Sequence, residues 1–174
     1  MNFNRSDDAL RICRGHLASL AAADPLIEAI LTAYASAAIY SEFEAAARAI
    51  VAERSVRPGS DKHLIAFGRV AANRLIRSIK ISELSGIAGH FHSDCKEAFQ
   101  DAVEAETAAA WDSILNNRHG VAHENDANAP ISNLTLVELQ DHFERAKGVL
   151  RAFEDCLSTS SGPFADGSMD ATAG

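Results

Sequence analysis

The chain has 174 residues and a net charge of −8, and hydrophobic residues make up 47% of it whereas aromatic residues make up only 6%. This length fits one compact domain with a core of its own. Much of the apolar content is alanine, which favours helix and fills little volume, so the composition predicts close-packed helices and argues against a β-sandwich.

Cysteine usage and hydropathy bear on the compartment. Cys13, Cys95 and Cys156 are odd in number and form no CxxC pair, which argues against a disulfide framework or a zinc site and makes Cys95 a structural thiol. The first residues lack the apolar run of a signal peptide, and the apolar-rich stretch 26–39 is too short to cross a bilayer of about 30 Å. We therefore expect a cytoplasmic protein without a membrane span.

The charge is unevenly distributed. The stretch from Ala45 to Lys80 has a local charge of +6, which leaves −14 for the rest of the chain. Against Glu53 and Asp61 it sets eight basic residues, namely Arg48, Arg54, Arg57, Lys62, Arg69, Arg74, Arg77 and Lys80. Such a stretch fits an RNA-facing surface, because phosphates respond to the local field. It equally fits two solvated helices with ordinary arginines, and both interpretations stay open.

Periodicity and turn residues predict the first helices. Ser6-Asp7-Asp8 is a candidate N-cap for a helix that reaches about Ala22. Asp24-Pro25 opens a second helix that reaches about Val56, and its apolar residues, Tyr34 and Tyr40 included, cover most of its circumference. We expect this second helix to be central and most buried. A third helix is predicted over 61–79, with Leu64, Ile65, Phe67, Val70, Leu75, Ile76 and Ile79 as its apolar set.

The second half of the chain predicts two more long helices. Residues 81–91 are interrupted by glycines and predict at most a helical turn opened by Ser82. A long helix then starts near Ser93-Asp94 or Asp101 and reaches residue 123, and a last helix, capped at Ser132 or Thr135, ends near Leu157. The sequence thus predicts an all-α, up-and-down bundle of about five helices over residues 1–157, followed by a disordered tail over 158–174.

One segment, Arg118-His119-Gly120-Val121-Ala122-His123, carries candidate chemistry. At 100° per residue, Trp111, Ile114, Leu115, Val121 and Ala122 fall within about 60° of Arg118, so the arginine lies on an apolar stripe. A guanidinium in that position is paired inside the fold or held at an interface. Asp112, Asn116, His119 and His123 fall between about 100° and 160° and form a polar face beside it.

These residue types suit phosphodiester cleavage. Histidine moves protons near neutral pH, and arginine clamps phosphate through two donors without losing its charge, so no metal or other cofactor is required. Three other interpretations stay open. His119 and His123 would suit zinc, although no glutamate lies between them and no third ligand is evident. They also suit a helix carboxyl terminus through its dipole, or a binding surface without catalysis.

Asn117 to His123 resembles the R-x4-6-H signature of the HEPN superfamily. The RiboL-PSP-HEPN branch is further resembled by Ser41-Glu42-Phe43-Glu44, by the 81–91 region that begins Ile81-Ser82-Glu83-Leu84, by an acidic helix with Ala110-Trp111, and by the closing helix. The match covers about residues 8–157. It implies a homodimer whose motif helices face each other and whose active members cut RNA without metal. It also implies a toxin with a cognate antitoxin, or an RNA-targeting defence effector against phage.

The resemblance also implies site roles. Arg118 would hold the scissile phosphate, His123 would act as general base or acid for attack by the 2′-hydroxyl, and His119 would orient the phosphate or the other histidine. Asn116, Asn117 and Glu44 are predicted to bind substrate, and Glu44 would also be a partner for Arg118 unless it is a surface or capping carboxylate. The alternative function is a non-catalytic HEPN scaffold that binds a nucleotide or a protein.

Gly120 departs from this pattern, because glycine costs about 1 kcal/mol inside a helix. It is predicted to mark a bend that would change the angle between Arg118 and His123 from about 140°. Elsewhere, His90 and His92 are predicted either to reach a nucleotide or to be simply exposed. Trp111 is predicted to lie in the core or at a dimer interface rather than to stack on a base.

Overall fold

The computed structural model describes residues 1–54, 61–123, 132 and 134–159, without the side chains of Leu64, residues 118–123 and Thr159. Within that part the chain forms helices and no strand, which confirms the predicted all-α class. The helices are α1 (Asn4–Ser19), α2 (Pro25–Arg54), α3 (Lys62–Leu75), α4 (Ile81–Phe91), α5 (Ser93–Ala102), α6 (Ala105–His123) and α7 (Leu136–Thr159). The predicted tail lies outside the described residues from 160 onwards.

The described part holds seven helices, so the prediction of about five was wrong. Residues 81–91 form the complete helix α4 because Leu84, Ile87 and Ala88 bury one face, which offsets the helix-weakening effect of its glycines. His92 adopts an extended conformation that ends α4, and its Nδ1 accepts a hydrogen bond from the Asp94 amide at the start of α5. A second extended residue, Val103, separates α5 from α6.

The start of α1 is capped by a carboxylate from another helix. Glu42 on α2 accepts hydrogen bonds from the Ser6 amide at 2.8 Å, the Ser6 hydroxyl at 2.6 Å and the Arg5 amide at 3.3 Å. The helix begins at Asn4, and Ser6 is fully buried inside its first turn. The predicted N-cap at Ser6-Asp7-Asp8 was therefore wrong, because a distant carboxylate satisfies the free amides of this helix end.

Helix α2 is the centre of the bundle and packs against α1, α3, α6 and α7. It begins as predicted, with the Asp24 carboxylate accepting from the amides of Leu26 and Ile27. Phe43, fully buried, stacks on Trp111 of α6 with ring centroids 4.7 Å apart. Tyr40 packs partly buried against this core. Tyr34, predicted as core, is 58% exposed, because it lies on the side of α2 opposite the buried face.

Neighbouring helices cross α2 in defined directions. Trp111 contacts Phe43 and Asn117 bonds to Ser36, so α6 runs antiparallel to α2. Glu28 accepts from the Leu136 amide, and Phe43 stacks with Phe143, so α7 runs parallel to α2.

Helices α6 and α7 pack closely beside each other. A Cβ added at Gly148 of α7 would lie 2.9 Å from the Cγ2 atom of Thr107 on α6, so the absence of a side chain permits this approach. The start of α7 is a capping box in which Glu138 accepts from the amide and hydroxyl of Thr135, which confirms the predicted cap.

Helix α3 ends at Leu75, four residues earlier than predicted. Ile76 and Ile79 are fully buried, as expected, but they lie in the non-helical segment that leads to α4. Phe67, Val70 and Leu75, predicted as part of the inward face, are more than half exposed. The inward face of α3 consists of small residues instead, such as Gly68 and Ala72.

Candidate active site on α6

The predicted motif lies at the carboxyl end of α6. This helix continues through Gly120 to His123, so Arg118, His119 and His123 belong to one helix, which the glycine does not end. The side chains of these three residues lie outside the described part of the structure. Their predicted catalytic roles, and any metal coordination by the two histidines, stay predictions.

The apolar stripe predicted for α6 is confirmed up to the motif. Trp111 and Ile114 are fully buried and Leu115 is 3% exposed. The Trp111 indole donates a hydrogen bond of 2.8 Å to the Ile79 carbonyl, which ties α6 to the segment before α4. Trp111 thus lies in the core, as one of its two predicted positions.

Asn117 anchors α6 immediately before the motif. Its side chain is 3% exposed, and its amide nitrogen donates to the Ser36 hydroxyl of α2 at 2.7 Å. Its amide oxygen accepts from the Ser132 hydroxyl at 3.0 Å. A buried amide left without partners costs about 1–3 kcal/mol, so these bonds fix the rotation and depth of the helix at this turn. Burial gives Asn117 a structural role, and its predicted contact with substrate stays a prediction.

Asp112 and Asn116 are exposed on the polar side of α6, as predicted. They line a cavity of about 370 Å³ between α6 and the start of α4. The remaining lining residues are Lys80, Ile81, Ser82 and Leu115. The cavity thus combines an ammonium group, a hydroxyl, an amide and a carboxylate, all on the face of α6 that the wheel shares with His119 and His123.

Glu44, predicted to bind substrate and to be a partner for Arg118, has another partner. Its carboxylate lies 2.8 Å from the Arg48 guanidinium one turn along α2, and Arg48 also donates to the Ile76 carbonyl. Glu44 lies eight residues from Ser36, about 12 Å along the helix from the level of Asn117. Since α6 runs antiparallel to α2, the motif extends away from Glu44, and the expected pairing was wrong.

An exposed apolar row occupies the amino-terminal half of α2. Leu26, Ile30 and Tyr34 are spaced four residues apart and are 59%, 50% and 58% exposed. The bond between Ser36 and Asn117 puts this half of α2 at the same end of the bundle as the motif. The apolar row therefore lies at the motif end of the molecule.

The other histidines and the cysteines have structural positions. His90 is exposed, while His92 caps α5 through its ring nitrogen. All three cysteines are buried and free, and burial raises the pKa of Cys156 to about 11, with the nearby Cys95 as a second cause. The predicted structural role of Cys95 agrees with its position in the core.

The sequence did not indicate Lys80, Ser36 or Ser132 as parts of this region. Each contacts α6 from a distant point of the chain, and a lysine or serine in a short connection has no local pattern that marks it. Asn117 was selected for its place in the motif, whereas its burial follows from two long-range contacts.

Comparison with known proteins returns no match: no protein-family model, no curated protein and no solved structure matches this chain. The likeness to HEPN domains therefore depends on the motif residues and their helical setting. Within the described residues, no helix is both long and apolar enough to cross a membrane.

Proposed function

We propose that the protein is a metal-independent endoribonuclease of HEPN type. One observation carries the proposal: α6 runs as a single helix from its buried Trp111 stripe through Arg118 to His123. Asn117 anchors that helix one residue before Arg118. A reactive constellation on a secondary element with a fixed position is the arrangement that precise catalysis needs.

In the proposed reaction, the Arg118 guanidinium binds the two non-bridging oxygens of the scissile phosphate. One histidine removes the proton from the 2′-hydroxyl, whose oxygen attacks phosphorus while the 5′-oxygen leaves. A proton returned to the 5′-oxygen completes the step, which yields a 2′,3′-cyclic phosphate and a free 5′-hydroxyl. His123 is one proton carrier, and His119 orients the phosphate or the other histidine.

The cavity between α4 and α6 supports an RNA substrate. Asn116 and Ser82 offer donors and acceptors for a base or ribose, and Lys80 offers a charge for a phosphate. These contacts would hold the nucleotide beside the cleaved bond, whereas Asp112 would repel a phosphate placed directly against it. Asn116 thus keeps its predicted role in substrate binding.

The proposed active form is a homodimer with the motif helices facing each other. The exposed row of Leu26, Ile30 and Tyr34 at the motif end supports this, because apolar side chains near a two-fold axis bury each other in a dimer. The proposal includes a cellular role as a toxin held by a cognate antitoxin or as an RNA-targeting defence effector.

The test is cleavage of single-stranded RNA in excess EDTA by the wild type, Arg118→Ala and His123→Ala. Each substitution is expected to lower the rate by at least about 100-fold, the usual contribution of an acid–base group. Arg14→Ala and His90→Ala are matched controls, because both residues are exposed and lie outside the motif. Cleavage that survives both motif substitutions, or that requires added metal, contradicts the proposal. Absence of cleavage by the wild type favours a non-catalytic scaffold.

A further inference from the structure

Helix α3 exposes a mixed aromatic and basic surface. Phe67 is 68% exposed and Val70 is 51% exposed. At 100° per residue, His63, Phe67, Val70 and Arg74 lie within about 60° of one another. We call these four residues the outer stripe of α3. Large exposed apolar side chains in one row are unusual enough to indicate a contact surface.

The charge around the outer stripe is positive without local compensation. From residue 62 to residue 80 the chain has no acidic side chain and five exposed basic ones, namely Lys62, Arg69, Arg74, Arg77 and Lys80. None of the five forms an ion pair with another described residue. Elsewhere Arg11 and Arg48 have carboxylates 2.8 Å away. The region thus attracts anions although the whole chain carries −8.

The positive surface continues from α3 to the cavity beside α6. After Leu75, the buried Ile76 and Ile79 hold the connecting segment against the core, and the exposed Arg77 lies between them. The Ile79 carbonyl accepts from the Trp111 indole, so this segment lies against α6. The next residue, Lys80, lines the cavity. Arg74, Arg77 and Lys80 therefore form a chain of cations that leads to the proposed site.

We propose that the outer stripe of α3, with Arg77 and Lys80, binds single-stranded RNA and leads the strand into the cavity between α4 and α6. This inference rests on the proposed function, because it names where the RNA beyond the cleaved bond is held. Phe67 stacks on a base, while Arg74 and Arg77 bind phosphates. Interleaved basic and aromatic side chains are the arrangement with which proteins hold single strands without strong sequence preference.

The observations favour a single strand over other polyanions. In a duplex the bases are stacked on each other, so an isolated exposed ring such as Phe67 would have no base to stack on. A membrane-surface helix needs a broad apolar face, whereas the outer stripe offers two apolar side chains between His63 and Arg74. Bilayer binding is therefore the competing outcome of the test.

The experiment measures fluorescence anisotropy of a labelled 12-nucleotide single-stranded RNA in EDTA, with His123→Ala as the background of the full-length chain. Phe67→Ala is expected to weaken binding by at least about fivefold, from about 1–3 kcal/mol of stacking per base. Arg74→Gln with Arg77→Gln is expected to lower the slope of log K against log salt by about 1.4, at about 0.7 per phosphate. Phe91→Ala and Arg14→Gln, which replace exposed residues elsewhere, should bind as the background does.

Equal binding by the α3 variants and their controls overturns the proposal, and so does a lack of RNA binding by the background chain. Binding to anionic phospholipid vesicles that depends on Phe67, without an effect on RNA, overturns it in favour of a membrane surface. Circular dichroism should show unchanged folding, because the replaced side chains are exposed.

Cleavage of an RNA dinucleotide separates this proposal from the proposed function. A dinucleotide is short enough to be held by the cavity alone, so wild type and α3 variants should cleave it equally, while Arg118→Ala should not. Long RNA should show a raised KM with the α3 variants. If cleavage survives Arg118→Ala and His123→Ala, the proposed function fails, yet the anisotropy result still decides whether α3 binds RNA.

Discussion

Helices α6 and α3 both have an apolar stripe, yet they use it in opposite ways. In α6 the stripe around Trp111 is sealed between α2 and α7, and the helix end that carries the motif is thereby held in place. In α3 small residues face α2, and Phe67 and Val70 point away from the bundle. A stripe in a sequence thus reveals that a helix is amphipathic, whereas the packing partners decide whether its apolar side supports the fold or is available for binding.

The largest effect should come from matched phenylalanine truncations in the two regions. Phe43→Ala removes a fully buried ring that stacks on Trp111, and it should lower the free energy of unfolding by about 3–5 kcal/mol. Phe67→Ala removes a ring that is 68% exposed and should change it by less than about 0.5 kcal/mol. Urea denaturation followed by Trp111 fluorescence measures both. Similar losses in the two variants would break the contrast between α6 and α3.

A medium effect is expected at the anchor before the motif. Asn117→Ala leaves the buried Ser36 hydroxyl without its partner and should cost about 1–3 kcal/mol of unfolding free energy. Asn116→Ala is the matched control, since its neighbouring side chain is exposed and should cost less than about 0.5 kcal/mol. The same denaturation measurement separates them. An equal cost for both would show that the Asn117 bonds do not hold α6.

The smallest effect concerns the start of α7. Hydrogen bonds from the Thr135 amide and hydroxyl lower the pKa of the Glu138 carboxyl from its ordinary value of 4.5. A lowered pKa in the folded state gives a stabilisation that is complete above pH 4.5 and is lost as the pH falls towards the folded-state pKa.

Glu138→Gln should therefore reduce stability slightly at pH 7 and reduce the loss of stability on acidification below pH 4.5. Thermal unfolding between pH 3 and pH 7 measures this difference. Parallel curves for the variant and the wild type would contradict the assigned role of the capping box.

The sequence predicted the features that depend on neighbouring residues. Asp24 and Thr135 were recognised as caps because their partners lie within three residues, and the α6 stripe followed from helical spacing. Features that depend on distant contacts were missed. Glu42 caps α1 from 36 residues away, and Asn117 bonds to Ser36 across 81 residues. No local pattern could reveal either contact.

Two errors have the same origin. Glu44 was expected beside Arg118 because both belong to the resembled motifs, but the antiparallel packing of α2 and α6 separates them along the bundle. Phe67 was expected in the core because it fits the helical period, but α3 turns its small residues towards α2. The direction and rotation of packed helices decide both outcomes, and local periodicity contains neither.

The most direct test of the proposed activity is analysis of the RNA ends after incubation with the protein in EDTA. Mass spectrometry should find 2′,3′-cyclic phosphate and 5′-hydroxyl ends with the wild type, and neither end with Arg118→Ala or His123→Ala. Ends of another chemistry, or the same ends from all three proteins, would contradict the assignment of α6 as a metal-independent ribonuclease site.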